Sequence, residues 1–244
     1  MVKEIFDRIK KGEQITYKDL EQLDHLLLRE YGCTGNSGRS PLADAIDNEY
    51  ILDNGLENRF LAISSGTKRD ANVSGNSVPS IDNQLFVMGR AVARNDELRI
   101  YSPEEALEIT GMLANEDKTK QDYETDQAFY DAVRNLDTKG RSRLMEEEHE
   151  FRARAAKDIG LSIPIKDGGQ QTEPCDKVKF FYAMAESNEK DARAIYSGQA
   201  HQPVFDNFGI PNTFGLPYDQ YKEMVCGLKE KVIQNAKQSE ESLR

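Results

Sequence analysis

From Cys33 to Ser40 the chain reads Cys-Thr-Gly-Asn-Ser-Gly-Arg-Ser, and Pro41 then opens a helical pattern carried by Leu42, Ala45, Ile46 and Tyr50. A run of small turn-forming residues that stops at a helix N-terminus dictates its own backbone more tightly than the rest of this sequence does. Amides in such a run have no ladder or helix partners of their own. Successive N–H groups can therefore converge on one point, the arrangement that binds anions. Gly35 and Gly38 permit backbone conformations that a side chain blocks. Asn36 tolerates a left-handed conformation, and its amide can pin the loop. Pro41 suits the first helical position, where no N–H is required.

The residue types in this loop point to phosphoryl chemistry. Arg39 carries a planar fork that grips two phosphate oxygens at once, as a lysine does not. Converging amide dipoles, Arg39 and the helix N-terminus together favour thiolate over thiol at Cys33. The Ser40 hydroxyl is placed to donate to that sulfur. The implied reaction is attack of Cys33 on phosphorus, giving a phosphocysteine that water hydrolyses. A Cys-x5-Arg spacing alone is weak and needs its context. A lone cysteine is more often an inert core residue. Here the flanking Gly-Asn-Ser-Gly-Arg-Ser-Pro string has no packing purpose, which favours the chemical reading.

The string Cys33–Ala45 resembles the signature of low-molecular-weight protein-tyrosine phosphatases, Cys-x-Gly-Asn-x-Cys-Arg-Ser-Pro-x-Ala-Glu-Ala. Phe60–Thr67, Ala155–Ser162, Val178–Asn188 and Ile210–Tyr221 resemble further segments of that family in the same order. The resemblance implies an α/β fold with a doubly wound, four-stranded parallel sheet. It implies Cys33 as nucleophile, Arg39 as phosphate clamp and Ser40 as an aid to sulfur departure. Thr34, Gly35, Asn36, Ser37, Gly38 and Arg39 would bind the phosphate. The expected substrate is a phosphorylated protein or small phosphomonoester, with no metal and no other cofactor.

Three departures qualify that expectation. Gly38 stands where the family has a second loop cysteine, so the protective disulfide is missing. Asn212-Thr213 stands at the family's Asp-Pro, the general-acid position. An amide cannot protonate a leaving group, and losing general acid catalysis costs roughly 10²–10⁴-fold in rate. Asp206 or Asp219 would be the substitutes. The stretch 68–152 is longer than the family's usual connection and reads as a helical insertion at about 82–150. Ser37 takes the place of a threonine found in relatives that cleave phosphoarginine, so that substrate is a further candidate. A pseudophosphatase that binds phosphorylated partners is the main alternative. Arsenate reduction is a weaker one, because Cys175 and Cys226 do not match the extra cysteines it needs.

Around the loop, the pattern predicts one domain: a helical segment over 1–24, strands near 26–28, 60–65, 178–184 and 203–205, and helices over 142–159, 189–196 and 218–238. Further helices are expected from Ser102 and over Asp126–Leu136, and a turn at Asp167–Gly169. The net charge of −11 argues against nonspecific binding to nucleic acid or anionic membrane. No apolar run approaches the ~18 residues of a membrane span. Residues 1–11 have mixed charge, unlike a signal peptide. Free thiols at Cys33, Cys175 and Cys226 fit a reducing, cytoplasmic setting. His25, His149 and His201 are scattered and suggest no zinc site.

Overall fold

The computed structural model describes residues 2–67, 149–166, 170–211, 213 and 216–243. These fall in one compact unit drawn from both sides of residues 75–148. The helices expected from Ser102 and over Asp126–Leu136, nearly all of the insertion, the Asp167–Gly169 turn and Asn212 lie outside the described residues.

Four strands form the sheet: β1 (Leu27–Cys33), β2 (Phe60–Gly66), β3 (Val178–Ala183) and β4 (Val204–Asn207). Their order is β2-β1-β3-β4, and each neighbouring pair is parallel. Parallel strands need crossovers, and the described elements include α2 (Arg39–Asp53) between β1 and β2 and α4 (Glu186–Ile195) between β3 and β4. The chain turns to one side of β1 to make β2 and to the other side to make β3. That reversal opens a crevice at the C-terminal end of β1, where Cys33 stands. The expected doubly wound, four-stranded parallel sheet is therefore the observed one.

Burial on both faces explains why β1 and β2 do not alternate. Leu28 to Cys33 are all buried, and so is every residue of β2. Arg29, Glu30 and Tyr31 are thus interior residues despite their polarity. Next to them, a Cβ on Gly32 would fall 2.2 Å from Cζ of Phe181 on β3, so the ring occupies the space a side chain would need. One face is covered by α2 and by the C-terminal helix α5 (Tyr218–Glu241). The other is covered by α4 and by Tyr17 and Tyr196, which both reach Glu30.

Several boundaries differ from the sequence expectation, each for a local reason. The segment 1–24 is not one helix. α1 (Val2–Lys10) stops where Gly12 takes φ +76°, and a 3₁₀ turn, Tyr17–Leu20, follows. The Asp19 carboxylate accepts from both the amide and the hydroxyl of Thr16 and so starts that turn. α2 begins at Arg39, so Pro41 is its third residue and not its first. An N–H has no intrahelical partner there either, so the proline still costs nothing. The same helix ends at Asn54, with Gly55 at φ +65°, as expected. α3 is helical over 149–158 within the described residues. No helix among the described residues is long and apolar enough to cross a membrane.

Candidate functional site

The loop between β1 and α2 is built from its buried asparagine outward. Asn36 has φ +52° and is fully buried. An asparagine accepts this left-handed geometry better than other side chains. Its Nδ2 donates to the carbonyls of Ser64 at 3.1 Å and Gln170 at 3.4 Å. The loop is thereby stitched to the end of β2 and to the strand-like segment beside it, where Gly66 and Gln171 pair. A second amide, Asn188 near the start of α4, donates to Thr34 Oγ1 at 3.3 Å and Thr67 Oγ1 at 3.0 Å. Its Oδ1 accepts from the Ala185 amide at 3.1 Å, which fixes the helix start to the same knot.

Cys33 ends β1 with 4% of its surface exposed. Ser40 Oγ lies 3.0 Å from its Sγ and 3.1 Å from Asn36 Oδ1. One hydroxyl has one proton, so Ser40 donates to one of these at a time. With a thiolate the proton goes to sulfur. With a thiol it can go to Asn36, while the sulfur offers its own weak donor to the hydroxyl. Ser40 therefore follows the charge on Cys33 without moving. Thr34, Gly35, Asn36, Ser37, Gly38, Arg39 and Ser40 are all brought together with Cys33 in this one turn.

Arg39 opens α2, and its Nη1 donates to the carbonyl of Ile210 at 2.7 Å, with Pro211 O at 3.5 Å. This contact joins the loop to the segment that carries position 212. Among the described residues, the Nε–Nη2 edge of the guanidinium has no partner. That edge is the one a carboxylate- or phosphate-shaped group accepts in bidentate fashion.

Asp206, the substitute acid suggested by the sequence, is on β4. Its Oδ2 accepts from Asn235 Nδ2 at 2.5 Å, and its Oδ1 accepts from the Asn207 amide at 2.7 Å. Both oxygens are thus engaged, one of them with α5. His201 stands beside Lys179, with 3.5 Å between their nitrogens. Cys175 is half-buried and Cys226 exposed, and all three cysteines are free. Burial pushes the Cys175 thiol up.

Two further residues of this site, Gln170 and Arg152, lie outside the motif, and a third, Asp44, is inside it. Gln170 accepts the Tyr17 amide at 3.1 Å through its side chain, donates to Ser64 O at 3.4 Å, and offers its own carbonyl to Asn36 and Gly66. Arg152 on α3 donates to the Ser37 carbonyl at 2.7 Å. Asp44 on α2 is buried, and Oδ2 has no hydrogen-bond partner among the described residues. Burial holds its carboxyl above the ordinary range, opposed by the positive charges of Lys166 and Arg152. Only Asp44 had a signal, as the acidic residue of the string.

No family model matches the chain, and no curated protein does. Solved structures do. A YwlE mutant from Bacillus subtilis is 16% identical, with 88% of this chain and 99% of that one covered at a TM-score of 0.45. A protein tyrosine phosphatase from Entamoeba histolytica is 13% identical, with 89% and 99% covered at 0.49. A low molecular weight protein tyrosine phosphatase from T. tengcongensis is 16% identical, with 87% and 99% covered at 0.44. At such identities and scores the likeness carries no functional argument, which rests on the loop's own geometry.

Proposed function

We propose that the chain is a cysteine-dependent phosphomonoesterase acting on phosphorylated protein, phosphotyrosine or phosphoarginine, through a phosphocysteine. The observation that carries this reading is the Ser40 hydroxyl held 3.0 Å from Cys33 Sγ, at the base of a loop ending at a helix N-terminus. In the first step an S–P bond forms at Cys33 and the bond from phosphorus to the leaving group breaks, P–O in a phosphotyrosine and P–N in a phosphoarginine. Loop amides and the Nε–Nη2 edge of Arg39 hold the phosphoryl oxygens. In the second step water attacks phosphorus, the S–P bond breaks, and Ser40 donates to the departing sulfur.

The leaving atom of the first step, a phenolic oxygen or a guanidine nitrogen, needs a proton. Asn212 has none to give. Asp206 is bound to Asn235 and the Asn207 amide, so it is a poor replacement. Turnover is therefore slow on alcohols and phenols of ordinary basicity, and fastest where the leaving group needs no acid. p-Nitrophenyl phosphate is such a substrate. Phosphate release that disappears in Cys33→Ser supports the reading, and release that persists unchanged in Cys33→Ser removes it.

Asn212 also favours a second reading, a pseudophosphatase that holds a phosphorylated partner without hydrolysing it. Calorimetry with phosphotyrosine and turnover by Asn212→Asp separate the two. A gain of roughly 10²-fold or more on phenyl phosphate identifies an enzyme short of its acid. Tight binding with no turnover in either protein identifies a binder.

A further inference from the structure

The two halves of the loop are tethered differently. Residues 34–36 are tied by the side chains of Asn36 and Asn188. At 37–38 the side-chain hydrogen bond is a charged one to a backbone carbonyl, from Arg152 Nη1 to Ser37 O. Gly38 has no side chain with which to hold itself, and its backbone is at φ −134°, ψ −80°. Arg152 is 5% exposed and rides on a helix that is itself anchored. Phe151 packs against the rings of Tyr218 at 5.2 Å and Tyr221 at 5.8 Å, and Lys229 Nζ donates to Ile159 O at 2.6 Å.

The Ser37 carbonyl and the Gly38 N–H belong to one trans peptide unit, so they point in opposite directions. Fixing the carbonyl on a guanidinium fixes the direction of the N–H. It also polarises that N–H, since hydrogen bonds along one chain strengthen each other. On the phosphatase reading above, we propose that Arg152 is a positioning residue of the phosphate loop. It orients the Ser37–Gly38 peptide so that Gly38 N–H donates to the bound oxyanion, and it adds a positive charge to the loop's field. Arg152 acts through the Ser37 carbonyl and, by way of that peptide unit, through Gly38.

The test uses the full chain, with tungstate as the oxyanion and iodoacetamide as the probe of Cys33. Alkylation of the Cys33 peptide is followed by mass spectrometry, which separates it from Cys175 and Cys226. Tungstate protects Cys33 in the unchanged protein. Arg152→Met requires about tenfold more tungstate for the same protection, the expected loss of one charge-assisted hydrogen bond. It also alkylates more slowly without tungstate. Arg152→Lys keeps the charge without the planar fork and weakens protection by about threefold. A purely structural role lowers the thermal midpoint and leaves the protection curve in place. If Arg152→Met does not fold, Arg152→Lys decides on the same curve. An unchanged curve in a folded variant overturns the inference alone. Absence of protection in the unchanged protein overturns the phosphate-loop reading and the inference with it.

Discussion

Arg29 and Glu30 are neighbours on one strand, both fully buried, and they face opposite sides of the sheet with opposite solutions. Arg29 meets its countercharge. Its Nε and Nη2 reach the two oxygens of Asp47 on α2 at 2.7 and 2.6 Å, and Nη1 reaches Ser239 on α5 at 3.0 Å. Tyr31 adds a hydroxyl to the same carboxylate at 2.9 Å. Burial alone would lower the Arg29 pKa, but Asp47 more than reverses that, and the guanidinium stays charged. Glu30 meets hydroxyls instead. Tyr17 donates at 2.5 Å, Tyr196 at 2.8 Å, and Ser65 also donates. Burial raises its pKa to about 7 despite all three. The comparison separates two ways of keeping a polar strand interior: a compensated charge that ignores pH, and a carboxyl that discharges itself.

The largest effect is expected on the ionic face. Asp47→Ala leaves Arg29 charged and buried without its partner. It should cost about 3–5 kcal/mol in denaturant unfolding. A loss below about 1 kcal/mol would mean that water reaches Arg29 and the pair is not interior.

On the hydroxyl face the effect should depend on pH. The folded pKa of Glu30 is raised from 4.5 to about 7. Stability from the neutral carboxyl is therefore complete below the unfolded value and lost as pH rises through about 7. The neutral form has a place for its proton, because Ser65 can accept it and pass its own to Thr172 Oγ1 at 2.7 Å. Glu30→Gln should match the unchanged protein near about pH 5 and exceed it by on the order of 2 kcal/mol near about pH 8. A parallel pair of curves across that window would show that Glu30 stays ionised. The smallest change is Tyr196→Phe, with a cost of about 1 kcal/mol. That cost should be larger near about pH 8, where the lost hydroxyl served a charged acceptor. An equal cost at both values would detach Tyr196 from the titration.

Much of this was legible in the residues. Cys33 to Pro41 identifies the loop because Gly, Asn and Ser fix the backbone locally, and Asn36 adopts the left-handed conformation its type suggests. Strands β2 and β3 announce themselves as apolar runs. Arg29-Glu30-Tyr31 does not, because a charged residue looks solvated until its partner is known, and Asp47 and Tyr196 are far along the chain. Gln170 and Arg152 were missed for the same reason: each acts by touching a carbonyl, which leaves no trace in side-chain pattern. The apolar spacing of the N-terminal segment continues through Leu20 and Leu23 as it would in one helix, although Gly12 breaks the backbone.

Gly32 sits directly before Cys33 with the Phe181 ring where its side chain would be. Evolution and engineering therefore meet positions 32 and 181 as a single choice. A methyl at one is admissible only with a smaller partner at the other. Libraries that vary residue 32 alone will return glycine, and those that vary the pair will reveal how far the floor beneath Cys33 can be rebuilt.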